Sequence, residues 1–393
     1  MSISSITYPP SPELVPDSAT SVSAMFRQQV GKVMTSIVFF FIVYIILIIL
    51  AVLLALLTVY GGFALIIAVP KFLTLLLGLG LIGLGVMVLF FMIKFIFAVS
   101  RFEQADSIEI TEQDQPELFA FIRQLSIDTA TSFPKKIFIS PDVNASVSYN
   151  SSFWSMFLPV KKNLQIGLGL VNVLTVSEFK AVLAHEFGHF SQRSMKLGSF
   201  VYNVNRVIYN MLYNNNGYGN TLNVWANIHS VFAIFATLTI KIVQGIQWIL
   251  HKQYQLINKN YMSLSREMEF HADAVAASVT GSESLATALQ RIDFANVCYE
   301  TVISKYDSLY KQKLIGSNLY RDQQTVLSQL AQEQQIEIRN NIALVTESHR
   351  TAGVRSRVNF KDQWASHPPV AERVARLSHL GISCAQHHES AWI

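Results

Sequence analysis

Two histidines four residues apart, His185 and His189, enclose an acid in the run His185-Glu186-Phe187-Gly188-His189. On a helix, residues at this spacing share a face, so both imidazoles can bind one metal ion. Glu186, about 100° round the axis, can take a proton from a water beside that ion. This is the chemistry of metal-assisted hydrolysis. A catalytic zinc takes three protein ligands and keeps a further position open, so a third ligand has to come from elsewhere in the chain. The candidates lie in Arg266-Glu267-Met268-Glu269-Phe270-His271-Ala272-Asp273. Glu269 and Asp273 stand at i and i+4, so one can bind the metal while the other orients a ligating histidine through its free ring nitrogen. His271 is the better zinc ligand by type, but it sits about 200° round from Glu269 and turns away from Asp273. The spacing favours Glu269.

Both segments have to be helical for this chemistry. Thr175-Val176-Ser177-Glu178 reads as a capping box ahead of an apolar run, which predicts a helix start at Thr175. Met268, Phe270, Ala272 and Ala274 support a helix through the second segment. Upstream, Pro116 to Thr129 carries Leu118, Phe119, Phe121, Ile122 and Leu125 at helical spacing, whereas Lys136 to Ser140 and Leu164 to Val173 look like short strands. Residues 305 to 345 read as amphipathic helices that support the domain. The expected class is α+β, mainly helical.

Composition separates a membrane part from a soluble part. Of 393 residues, 51% are hydrophobic and 14% charged, against about 25% charged in an ordinary soluble domain. Between Ile37 and Val99 only Lys71 and Lys94 carry charge, and the block is more than three times the roughly 20 residues of one span. The expectation is two spans, near 35 to 59 and 73 to 98, separated by Gly61-Gly62, Pro70 and Lys71. Arg27, Lys32, Lys94 and Arg101 flank the hairpin against Lys71 alone at its tip, which puts both ends in the cytoplasm. Residues 1–32, with Pro9, Pro10, Pro12 and Pro16, predict a flexible tail. The net charge of +4, with no basic cluster interleaved with aromatics, argues against nucleic acid as a partner. Cys298 and Cys384 lack metal-site spacing. A third apolar stretch, Val231 to Leu250, lies between the histidines and Glu269. A shared metal demands an even number of crossings there. The available partner, Leu197 to Tyr213, contains Asn203, Asn205, Arg206 and Asn210, which are costly in a lipid-exposed span, so either a weak second hairpin inserts here or, as the polar residues favour, both helices lie at or partly in the interface.

His185-Glu186-x-x-His189, followed by Ser265-Arg266, Glu269 and Ala272-Asp273 and then by His367-Pro368-Pro369 with Arg373, resembles peptidase family M48. The resemblance covers roughly residues 100 to 380, and the N-terminal hairpin is similar to the HtpX-like branch. It implies a zincin-like, gluzincin-type domain over 100–393 behind a transmembrane hairpin at 33–99, with an apolar membrane-associated insertion at 198–260 and a polar helical one at 300–350. It implies one zinc per chain on His185, His189 and Glu269, Glu186 as general base and acid, and Asp273 supporting a histidine ligand. His367 and Arg373 match positions that stabilise the oxyanion or fix the substrate backbone. Asp142 to Val147 looks like the strand beside the active-site helix, with Asn144, Ala145 and Ser146 binding substrate if that strand is an edge, which an extended peptide can extend.

The implied function is a membrane-anchored zinc endopeptidase acting on polypeptides, damaged membrane proteins among them. The implied place is the bacterial inner membrane, with the catalytic domain facing the cytoplasm and the oligomeric state open. Glu178, Lys180, Arg193 and Lys196 flank the motif and put it outside the hydrocarbon. Two alternatives fit less well. A CAAX-type prenyl protease encloses its site in more than two spans, and a metal-binding scaffold without activity would lack Glu186 or the oxyanion donors.

Overall fold

The apolar block near the N-terminus folds as two long helices, α1 (Ala24–Ala68) and α2 (Phe72–Phe97). The computed structural model describes residues 7–17, 19–97, 99–100, 106–148, 151–152, 162–189, 204, 208–209, 212–213, 215–346, 349 and 368–392. Gly61-Gly62, expected to break the first span, lies inside unbroken α1. The role of Gly62 is packing. A Cβ there would come within 2.7 Å of the Gly78 carbonyl oxygen, and one on Gly78 equally close to that of Gly62, so the missing side chains let the two backbones meet. The helix ends at Pro70 instead, because proline disfavours helical dihedrals in the residue before it, and Val69 leaves the helix at φ −139° and ψ 85°.

Beyond the hairpin, β1 (Val99–Ser100) pairs with β5 (Ser151–Ser152), and a four-stranded sheet follows. Its strands β2 (Ile108–Ile110), β3 (Ile137–Ser140), β4 (Ala145–Ser148) and β6 (Asn163–Gly167) lie in the order β2-β3-β6-β4. β3 and β6 are parallel and the outer pairs antiparallel, so β4 is an edge strand among the described residues. Helix α3 (Pro116–Asp128) buries Phe121, Ile122 and Leu125 in the core around this sheet. Leu164 to Val173 is not one strand. The chain turns after Gly167 into a short helix, α4 (Leu168–Val171), where the backbone of Asp142 and Asn144 crosses so closely that no side chain fits at Gly167.

Helix α5 (Val176–Gly188) starts at the expected capping box: the Thr175 hydroxyl accepts from the Glu178 amide, and the Glu178 carboxylate accepts from the Thr175 amide at 2.9 Å. Every residue of α5 apart from Glu186 is buried. Two helices then form a second hairpin along α2. In α6 (Asn216–Ala226), Tyr218 donates to the Met87 carbonyl at 3.2 Å and Trp225 covers Gly83, while just before it Asn215 accepts from Lys94 at 2.8 Å. The chain turns at Asn227–His229. It returns as α7 (Ser230–Thr280), whose Phe235 packs on Gly80 and whose Val243, Ile246 and Leu250 join Val88 and Phe91 in one core.

Helices α6 and α7 thus pack lengthwise beside the first hairpin, and most of Leu197 to Tyr213 lies outside the described residues. Two of the polar side chains here face protein: Asn215 and Gln247 both donate to the Leu212 carbonyl. Asn203, Asn205, Arg206 and Asn210 lie outside the described residues. Among the described residues, three helices, α1, α2 and α7, are long and apolar enough to cross a membrane. The chain leaves α5 and returns on α7, as a shared metal requires.

Helix α8 (Ser282–Lys311) packs on α5, and its Arg291 pairs with the buried Glu178 carboxylate. Helix α9 (Leu319–Glu333), the hairpin of β7 (Ile338–Arg339) and β8 (Ile342–Ala343), and α10 (Val370–Leu380) complete the described fold. The polar insertion is a support. Gln323 of α9 is fully buried, donates to the Gly169 carbonyl and accepts from Asn172 at 2.9 Å.

Of residues 7–17, expected to be flexible, Tyr8 to Ser11 instead lie against the domain. Lys180 of α5 is fully buried, and its ammonium donates to the carbonyls of Pro9 at 2.9 Å and Pro10 at 3.2 Å. It sits 4.4 Å from the Tyr8 ring centroid and 3.7 Å from Asp128 Oδ2, and Tyr8 donates to the same carboxylate at 2.6 Å. A buried ammonium needs acceptors, and a proline-rich segment supplies them with little backbone entropy left to lose. Lys180→Met is expected to release this segment, costing about 2 kcal/mol of stability. Urea unfolding and limited proteolysis between residues 7 and 17 check it, and an unchanged cleavage rate there would contradict the contact.

Candidate metal centre and active site

The last turn of α5 and the last third of α7 cross where Gly188 meets Ala272. A Cβ on Gly188 would lie 3.0 Å from the Ala272 Cα and carbonyl oxygen, so glycine lets the two backbones touch. This close crossing brings the sequence-separated groups together. His185 Nε2 lies 3.5 Å from Glu269 Oε2, and His189 Nε2 lies 3.5 Å from Glu269 Oε1. One potential ligand atom from each residue falls within 4.8 Å of the others. A tetrahedral ion with bonds of about 2.0–2.1 Å separates its ligands by about 3.3–3.4 Å, so two imidazoles and a carboxylate at these spacings fit a zinc-sized metal. Gly188→Ala is expected to push α5 from α7 and weaken metal binding about tenfold. A chelator competition titration measures it, and an unaltered affinity would mean that the crossing does not set the ligand spacing.

Around the three lies a buried ionic frame. Asp273 Oδ1 sits 2.9 Å from His185 Nδ1, which fixes the tautomer that turns Nε2 towards Glu269. Arg373 of α10 grips the same carboxylate with Nη2 at 2.6 Å and Nε at 2.9 Å, while its Nη1 lies 3.9 Å from Glu269 Oε2. The guanidinium is buried and two of its three nitrogens are committed to Asp273. His367 lies outside the described residues. His271 turns the other way: its Nε2 lies 3.1 Å from the Thr20 carbonyl, and its ring faces Phe26. Glu267 accepts from Ser23 at 3.4 Å.

Burial pulls the His185 imidazole down, but hydrogen bonds to Asp273 and Glu269 overcome it and leave its pKa raised to about 9. In the metal-free protein this proton favours folding. The gain is full below the unfolded value near 6.5 and is lost as pH rises through about 9. A metal has to displace the proton, so metal affinity follows the opposite trend, rising about tenfold per pH unit from about 6.5 to about 9. Metal titrations across that range test the sign, and a flat profile would contradict it.

Glu186, half-buried, opens with His185 into a cavity of about 290 Å³. Asn144 and Ala145 of the edge-strand segment line it, but Ser146 does not. Leu170 and Val182 line it from α4 and α5, and Leu285, Leu289 and Ile292 from α8. Those three α8 residues, spaced i, i+4 and i+7, form an apolar face whose period is legible in the sequence but whose link to the site comes only from the packing of α8 on α5. A larger groove of about 670 Å³, between Pro10–Pro16 and Leu380–Ala385, contains none of these groups.

Comparison with known proteins agrees with this geometry. The family profile "Peptidase family M48" matches residues 114–381. "Protease HtpX" of Vibrio vulnificus (strain YJ016) is 30% identical over 168 residues, 40% of this chain and 50% of that protein. "Protease HtpX homolog" of Paenarthrobacter aurescens (strain TC1) is 23% identical over 276 residues, 69% of this chain and 74% of that protein. "Protease HtpX" of Haemophilus influenzae (strain PittEE) is 30% identical over 167 residues, so the chain spans about half the length of two of these relatives. No solved structure matches the chain. Since the profile spans α3 to the end of α10, over more than half of the sequence, the chain belongs to peptidase family M48, a family of metallopeptidases.

Proposed function

We propose that the chain is a zinc-dependent endopeptidase of gluzincin type anchored in a membrane. The observation that carries the reading is the meeting of His185, His189 and Glu269 beside a cleft that Glu186 faces. These three residues would hold one zinc ion, which when bound supplies Lewis-acid activation of water and of the scissile carbonyl. Glu186 takes a proton from the attacking water and passes it to the departing amine. Asp273 holds His185 in its binding tautomer, and Arg373 holds Asp273. His367 and the remaining Arg373 nitrogen are the donors assigned to the developing oxyanion. An extended substrate pairs with the free edge at Asn144, Ala145 and Ser146 through main-chain hydrogen bonds, which tolerates varied sequences.

The basic flanks of the first hairpin support a bacterial inner membrane setting with the catalytic domain in the cytoplasm. Its substrates there are membrane proteins under quality control. Comparison of new protein N-termini in cells carrying the wild-type chain or Glu186→Gln tests activity and substrates together. N-termini that appear only with the wild type are expected, and identical sets would overturn the reading.

A further inference from the structure

Six residues past the contact of Phe235 with Gly80, about 9 Å along the helix, α7 carries Lys241, level with the middle of α2. Lys241 is exposed and makes no hydrogen bond or ion pair with a described residue. It shares one exposed face with Thr237 and Gln244, at i−4 and i+3, bordered by Ile234, Leu238 and Trp248, which are 69%, 50% and 65% exposed. An ammonium at the depth of a bilayer's middle is costly without a counter-charge and marks a functional position. This chain has no counter-charge to offer. There is no Asp or Glu between Ser18 and Phe102, nor between Phe187 and Arg266, so the membrane part is free of acids and a second copy has none to lend.

We infer that the face of Thr237, Lys241 and Gln244 docks a membrane-spanning segment of another protein that carries an Asp or Glu near its middle. Taken with the peptidase reading above, on which this part rests, that names a substrate class: membrane proteins whose spans hold an acid left without its own partner. Charge complementarity selects this occupant over an all-apolar span, which gains nothing from Lys241. Continuity favours it too, because the same helix runs on to Glu269 and Asp273.

The test uses the full chain as Glu186→Gln in phospholipid vesicles, with photo-reactive model spans of leucine and alanine. One span has a central Asp and the other Ala at that position. The Asp span is expected to cross-link to α7 about tenfold more than the Ala span, Lys241→Met to remove the preference, and Lys241→Arg to keep it. Equal cross-linking of the two spans, or a preference that survives Lys241→Met, overturns the proposal. So does water at the face: with Cys298 and Cys384 replaced by Ala, Lys241→Cys should resist a membrane-impermeant thiol reagent, and labelling as fast as Lys71→Cys would mean an aqueous cleft. Binding is read without cleavage. Failure of the peptidase reading would show instead as no hydrolysis of any polypeptide by the metal-loaded wild type.

Discussion

Glu186→Gln retains the metal and lowers the rate of peptide cleavage by about 10²–10⁴-fold, the usual contribution of a positioned general base and acid. The substitution is close to isosteric, but the amide cannot accept and return a proton. Every other residue of α5 is buried, and Glu186 lines the cleft beside His185 and Val182 as the acid among them. The ligand side chains His185, His189 and Glu269 are untouched, and elemental analysis should find the wild-type metal content. Single-turnover cleavage of an unfolded polypeptide gives the rate. Cleavage within tenfold of wild type at full metal loading would remove Glu186 from the proton shuttle.

The second large effect is structural. Arg373→Leu takes the bidentate guanidinium, at 2.6 and 2.9 Å, away from a carboxylate that is itself buried. Asp273 is then left with His185 as its remaining charged neighbour among the described residues, and an underpaired buried charge costs about 3–5 kcal/mol. Metal affinity should fall about 10–100-fold as well, because Asp273 orients the His185 ligand. Arg373→Lys is not expected to rescue, since a single ammonium cannot make both bonds in the plane of the carboxylate. The pair Asp273→Asn with Arg373→Leu should regain part of the lost stability by removing the orphaned charge. Denaturant unfolding and chelator competition measure the two quantities separately, and a single substitution costing under about 1 kcal/mol would show that the ionic frame does not support the site.

The parts of the site legible in the sequence were those set by helical period. His185 and His189 share a face because they are four apart, and the same rule selected Glu269 over His271, whose ring does turn away to Thr20. The capping box at Thr175 was legible for the same local reason. The remainder depended on partners far along the chain. Gly61-Gly62 reads as a breaker until α2 presses against it with Gly78, and Leu164 to Val173 reads as a strand until Asp142 and Asn144 cross at Gly167. Residues 7–17 have the composition of a tail. Their order comes from the ammonium of Lys180, some 170 residues away, which no local pattern encodes. The grip of Arg373 on Asp273 is likewise a contact across 100 residues.

Helix α7 has one further consequence. It runs without a break from Ser230 to Thr280, so the distance between its apolar end near Leu250 and Glu269 is fixed at about 28 Å by helical rise alone. A polypeptide emerging from the bilayer beside α7 covers that height with about eight extended residues. On the peptidase function proposed above, the helix would work as a measuring rod: a membrane-embedded protein would have to offer about that length of exposed chain before it could be cut, and folded proteins with shorter exposed ends would be spared by geometry.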